Sequence, residues 1–202
     1  MAICVLTGDI VGSTKLTPAE LFEVRQTMVT INKDLEPVAG PAHFDSYRGD
    51  GWQATFTARR QALRIALIFR AALRAQNEKY DTRIAIAIGS EGLDNIDISK
   101  ARSPTFVSSG HALDEMPEDQ FIAHASGGAL GAATVLADHI SRSWTQAQAR
   151  AILPFIMSPI KPTQKDVAHA LGISRQAVGQ ALDAASYTPL SRALRAIEEQ
   201  AK

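Results

Sequence analysis

The chain opens with an apolar run, Ala2 to Leu6, that closes in Thr7-Gly8-Asp9. A run this short, bounded by small and polar residues, predicts a buried strand over Ala2 to Gly8. Pro18 to Leu35 carries apolar residues at helical spacing. Thr17 stands at the N-cap and Pro18 at the first helical position, where its missing N–H costs nothing. Two strand-like stretches, Ala42–Arg48 and Trp52–Phe56, flank Gly49-Asp50-Gly51, a tight hairpin signal. Arg59 to Gln76 repeats the helical pattern, and Arg83–Gly89 reads as another buried strand. The order strand, helix, strand, strand, helix, strand predicts an α+β fold: a ferredoxin-like, palm-type βαββαβ unit with an antiparallel sheet and helices on one face.

Beyond it, Glu91 to Pro104 is polar and predicts a loop. A short helix around His111 to Met116 and a strand around Gln120 to His124 follow. Ser126 to Gly131 suits a helix start or a hinge, and from about Ala133 the pattern is helical, broken only at Ser158 to Pro162. The boundary falls between Ala125 and Ala132, which divides the chain into a sheet domain over 1–128 and an all-α domain over 129–202.

With 202 residues, 46% of them hydrophobic, the chain can bury a real core. Its one cysteine, Cys4, excludes an internal disulfide and reads as a core residue on the first strand. The apolar start lacks a basic flank, and no run approaches the length of a membrane span, so a cytoplasmic protein is expected. Net charge is zero, but residues 141–202 hold eight bases against four acids, +4, which leaves −4 for residues 1–140. The basic half is the one suited to a polyanion.

Two places carry chemistry. An aspartate at the tip of a buried strand is costly unless something pairs it, and Gly12-Ser13-Thr14 before a helix leaves backbone N–H groups for an anion. In a ferredoxin-like sheet the first strand neighbours the hairpin, so Asp9 and Asp50 converge. Two close carboxylates suit a hard divalent cation, Mg²⁺ or Mn²⁺, and the backbone from Ile10 through Val11, Gly12 and Ser13 to Thr14 would cradle a phosphate chain. Each acid also has an ordinary reading: Asp50 between two glycines suits a turn, and Asp9 suits a turn cap. Arg48 lies beside the turn within reach of a phosphate, though a strand-end arginine is commonly just solvated. His43, His111, His124, His139 and His169 show no metal-ligand spacing, and of these only His111 falls near the expected nucleotide. Tyr47 and Trp52 lack the aromatic neighbours of an RNA-binding sheet.

The second place is PTQKDVAHALGISRQAVGQAL, Pro162 to Leu182. Thr163 caps a first helix with Asp166 three residues on, Gly172 makes the turn, and Ser174 caps a second helix over Arg175 to Asp183. Val167, Leu171, Ile173, Val178 and Leu182 form an apolar seam, with small Ala168 where the helices cross. The spacing is that of a helix-turn-helix, which predicts double-stranded DNA as partner. Arg175, Gln176, Gly179 and Gln180 would face the bases; Thr163, Lys165, Ser174, Arg192 and Arg195 would hold the backbone. Trp144, Ile152 and Phe155 belong to a supporting helix, and Tyr187, Leu190 and Leu194 to the one that follows. A trihelical bundle that contacts another protein is the competing reading.

GDIVGSTKL and RGDGWQATFTARRQALRIAL resemble the first metal motif and the hairpin of class III nucleotidyl cyclase catalytic domains, and RIAIAIGS resembles their next strand. The resemblance spans residues 1 to about 125. It implies a palm-like fold, a purine nucleotide ligand, Asp9 and Asp50 as the metal pair and Ile10 as a backbone ligand. The position that selects the purine in adenylyl cyclases is Ser46 here instead of lysine. The positions of the family's transition-state asparagine and arginine correspond to Asp114 and Glu118, and two acids cannot stabilise charge developing on phosphate. With its GDIV-type strand end, Gly-rich hairpin and C-terminal helix-turn-helix, the chain resembles the SatD family more closely in architecture. The expected function is a homodimeric transcriptional regulator whose cyclase-like domain senses a nucleotide. The alternatives are an active cyclase or phosphotransfer enzyme with a DNA-binding tail, and a DNA-binding protein whose sheet domain is only a dimerisation scaffold.

Overall fold

In the computed structural model, which describes residues 3–47, 49–90, 103–158 and 160–199, the opening apolar run becomes the central strand β1 (Ile3–Ile10). It pairs antiparallel with β3 (Gly51–Phe56) on one side and β4 (Thr82–Gly89) on the other. β2 (His43–Tyr47) extends the sheet beyond β3, and β5 (Ile122–His124) joins β4 in parallel, giving the order β2-β3-β1-β4-β5.

Alternation along β1 sorts its side chains between two faces. Cys4, Leu6 and Ile10, with Ile84 and Ile86 of β4, share a core with α1 (Pro18–Ala39) and α2 (Ala62–Gln76). Thr7 points the other way: its Oγ1 lies 2.7 Å from Ser109 Oγ on α3 (Pro104–Asp114), whose Phe106 is also buried. Helices therefore cover both faces, where one was expected. The reason is legible afterwards, since β1 and β4 are apolar at successive positions, as strands buried on both faces must be. Burial pushes the Cys4 thiol up to about 12, which leaves it an inert core residue.

The local signals place most elements. Thr17 and Glu20 form a capping box at the start of α1, with Pro18 at its first position. α3 starts earlier than the expected helix at His111, because Pro104 opens it, and Met116 lies beyond its end. The predicted loop over 91–104 falls largely outside the described residues. Gly8 is needed for close approach: the Trp52 indole lies across it, and a Cβ there would come within 2.5 Å of the ring and 2.4 Å of the Arg83 carbonyl oxygen. Trp52 Nε1 donates to Thr82 Oγ1, which donates to the Asp9 carbonyl, so the end of β1 is fixed from its neighbour.

α2 is buried nearly all round, between the sheet and the helices that follow. Those are α4 (Gly128–Arg142), α5 (Gln146–Met157), α6 (Gln164–Leu171), α7 (Arg175–Ala184) and α8 (Tyr187–Glu199). α5 packs along α2, and a single hydrophobic cluster runs from Cys4 on β1 to Leu194 on α8. Arg64 of α2 pairs with Glu198 of α8 through two bonds of 2.5 and 2.9 Å. Trp144 donates to the Ala185 carbonyl at 3.0 Å and joins the α4–α5 corner to the α7–α8 corner.

Within this core α2 carries a charge. Arg70, 2% exposed, forks onto both oxygens of Asp81 at 2.8 Å each, and its Nη1 reaches Asp138 Oδ1 at 3.3 Å and Ser141 Oγ at 2.6 Å on α4. Arg74 adds a bond of 2.7 Å to Asp81. Phe121 stacks under the Arg70 guanidinium, 5.2 Å from its ring centre. Replacing Arg70 with Met would leave two buried carboxylates short of their cation, and loss of one partner in such a cluster costs about 3–5 kcal/mol. Urea denaturation should record a fall of that order with the slope unchanged.

Candidate functional site

Asp9, half-buried, is the last residue but one of β1, directly opposite Gly51 on β3 and Arg83 on β4. Facing residues on paired strands project to the same side, so Arg83 and Asp9 meet, with Nη1 3.6 Å from Oδ2. Arg83 also donates through Nη2 to the carbonyls of Leu113 and Met116, which ties the strand ends to the end of α3. Asp50 stands in the β2–β3 turn. Its carbonyl accepts from Ile10 N at 3.2 Å, and its carboxylate accepts from Ser13 Oγ at 2.5 Å. Arg25 of α1 donates to the neighbouring Gly49 carbonyl.

The loop after β1 is held from the far side. Val11 N donates to the Asp81 carbonyl, and Ser13–Lys15 make one 3₁₀ turn closed by Lys15 N to Gly12 O. Burial raises the Asp9 carboxyl above its ordinary value; Arg83 opposes that rise and the charge of Asp50 adds to it. Asp9 and Asp50 are thus close enough to repel each other. Tyr47, at the end of β2, has its phenol raised by burial and by Asp114, Asp9 and Asp45. Among the described residues the end of the sheet gathers several carboxylates, with the Arg83 cation beside Asp9.

Among the described residues no group of three or more His, Cys, Asp or Glu side chains converges as a metal cage. The donor set of two carboxylates and the Ile10 carbonyl fits the other mode of Mg²⁺ binding, in which one or two carboxylates share the ion with phosphate oxygens and water.

The other expected residues divide. Ile10, Val11, Gly12, Ser13 and Thr14 lie together beside the two acids. Ser46 pairs with Trp52 and so projects to the face of α1 and α2, opposite to Asp9. Arg48 lies outside the described residues. Trp52 is buried and has no face free for stacking. Asp114 ends α3 near Tyr47, whereas Glu118 is not on that helix but in the exposed turn after it. Arg83 was not anticipated as a site residue; its signal was an arginine that opens an apolar strand and so sits at the strand end opposite Asp9.

At the other end of the chain, Thr163 and Asp166 form a capping box on α6, and Ser174 accepts from Ala177 N at the start of α7. Gly172, with φ of 66°, turns the chain between them. Val167, Ala168, Val178 and Leu182 are buried. Ile173 departs from the expected seam: it lies in the turn itself, and its side chain is 45% exposed. Arg175, Gln176, Gly179, Gln180 and Asp183 line an open groove on α7, joined by Gln164 of α6. Gln164 and Asp183 are additions to the expected set. Lys165, Arg192 and Arg195 are exposed on α6 and α8.

No protein-family model matches the chain, and no curated protein matches it. Among solved structures, the crystal structure of the guanylyl cyclase Cya2 aligns over 63% of this chain and 79% of its own, at 21% sequence identity and a TM-score of 0.47. No helix among the described residues is long and apolar enough to cross a membrane.

The electrostatics of the acid pair are testable. Asp50→Asn removes the charge that raises Asp9, so the Asp9 carboxyl should titrate at lower pH; Arg83→Gln removes the opposing cation, so it should titrate at higher pH. Carboxyl carbon shifts followed by NMR through an acid titration read both directions.

Proposed function

We propose that the protein is a homodimeric, DNA-binding transcriptional regulator that reads DNA with α7 and whose sheet body holds a purine nucleotide and a divalent cation near Asp9 and Asp50. The α6–α7 pair supports the first part. Two capped helices meet at a left-handed glycine, their inner seam is buried, and the outer face of α7 offers donors and acceptors with the reach of base edges. In a helix-turn-helix docked on DNA, Arg175 would pair with guanine, Gln176 or Gln180 with adenine, and Asp183 would accept from cytosine. Two copies on half-sites one helical turn apart would supply the remaining specificity.

Gly179 carries the reading. A helix interior disfavours glycine, and here nothing crowds it: a Cβ would meet only the tip of Gln164, at 3.7 Å. The fold has no use for the missing side chain, while close approach of an external surface does. Gly179→Ala should therefore raise stability by about 0.5–1 kcal/mol. The same change should weaken binding about tenfold on a duplex selected from a random-sequence pool, the equivalent of about 1.4 kcal/mol. Arg175→Ala should remove about 1–3 kcal/mol of discrimination between that duplex and one with the contacted base pair changed. Denaturation midpoints and fluorescence anisotropy measure both, and unchanged binding in the two variants would overturn the assignment of α7.

The sheet order β2-β3-β1-β4, all antiparallel, is that of a ferredoxin-like unit, which supports a palm-type body. In it, Asp9, Asp50 and the Ile10 carbonyl would hold the cation, and the backbone of Val11 to Thr14 would meet the phosphates. The bound cation would neutralise the nucleotide's phosphate charge. An active cyclase is the weaker reading, because the resemblance puts Asp114 where a charge-stabilising asparagine would be needed, and Glu118, off that helix, supplies no cation in place of the arginine. Asp9→Asn with Asp50→Asn should leave the fold intact and abolish Mg²⁺-dependent binding of ATP and GTP in calorimetry; binding that survives the double change places the ligand elsewhere.

A further inference from the structure

A cavity of about 510 Å³ opens where the start of α2, the end of β4, α4 and α8 meet. Its cause is a set of small side chains. Ala129 and Ala133 lie four apart on α4, and Ala193 and Ala196 three apart on α8, so each pair stacks on one helix face. Where larger residues would have interdigitated, a space of ligand size is left, walled chiefly by alanine, leucine and isoleucine.

Besides Arg60, which has a partner of its own, two polar groups interrupt the apolar wall. His124, at the end of β5 and 8% exposed, accepts through Nδ1 from Ser126 N at 3.1 Å. Burial pushes its pKa down to about 4, so the ring is neutral near neutral pH, and its one proton sits on Nε2. That Nε2 is buried and has no hydrogen-bond partner among the described residues. A buried donor without an acceptor is a cost the fold carries unless something else supplies the acceptor. The second group is Arg59, exposed on the turn before α2, whose guanidinium makes no hydrogen bond or ion pair among the described residues.

We propose that this cavity is a binding site for a small aliphatic carboxylate of medium chain length. The chain would fill the apolar space and the carboxylate would pair with Arg59; a ligand oxygen would accept from His124 Nε2–H after the ring turns toward the cavity, since that atom is closed to solvent. The site is distinct from the acid pair and from the α7 groove, and it does not depend on the function assigned to either.

Decanoate, used below its micelle concentration, and decanol as its uncharged counterpart are the probes, titrated into the full-length protein by calorimetry. Decanoate should bind with a stoichiometry of one per chain and at least about tenfold more tightly than decanol, the difference that one charge-assisted contact supplies. Arg59→Gln should erase that difference, and His124→Phe, which keeps a ring and deletes the N–H, should weaken decanoate. Ala196→Trp and, as a second cavity-filling change, Ala133→Leu should abolish binding, provided their melting temperatures are not lowered. Absence of decanoate binding to the parent protein, equal affinity for decanol, or undiminished binding in the folded cavity-filling variants would each overturn the proposal.

Discussion

Arg70 is the constraint around which the molecule is arranged. A guanidinium on a helix buried nearly all round cannot reach water, so carboxylates must come to it. Asp81 arrives just before β4 and Asp138 from the middle of α4, which fixes α2 against the sheet on one side and α4 on the other. Asp138 is itself raised by burial, opposed by the Phe121 N–H and the Arg70 and Arg142 guanidinium groups. Such a cluster is poor evidence of high stability, since apolar residues of similar shape can do as well. Its effect here is geometric: only one docking of α4 on α2 satisfies all of its members.

The same cluster positions both candidate sites. The Asp81 carbonyl receives Val11 N, so the loop that follows Asp9 hangs on the residue that anchors Arg70. On the far side Ser141 takes the Arg70 bond three residues before Trp144, whose indole is bonded to Ala185 at the end of α7. A continuous set of packed and hydrogen-bonded groups therefore joins the acid pair to the α7 groove. Contact alone does not couple two sites; coupling needs a ligand with different affinities for two arrangements of that set.

At the acid pair, the protein supplies its own counter-charge. Arg83 neutralises part of the Asp9 charge and is itself held by two carbonyls at the end of α3. A cation that entered between Asp9 and Asp50 would compete with Arg83 for Asp9, and any change in that ion pair bears directly on α3. The negative surroundings, Asp45 and Asp114 about Tyr47, would attract a divalent cation more strongly than a singly charged guanidinium.

The amino-acid sequence by itself determined what depends on near neighbours in the chain. The apolar run of β1, the Thr17 cap with Pro18, the hairpin glycines about Asp50 and the Thr163, Gly172 and Ser174 signals of α6 and α7 all act within about four residues, and periodicity and capping express such contacts directly. Only the tertiary structure decided the rest. The partners of Arg70 stand 11 and 71 residues away along the chain, at Asp81 and Ser141, and in sequence it is one more residue of an apolar helix. The pairing of Asp9 with Arg83, the turning of Ser46 to the opposite face and the space between the alanines of α4 and α8 depend on strand register and helix docking. Those are set by the summed packing of a whole core, which no local pattern encodes.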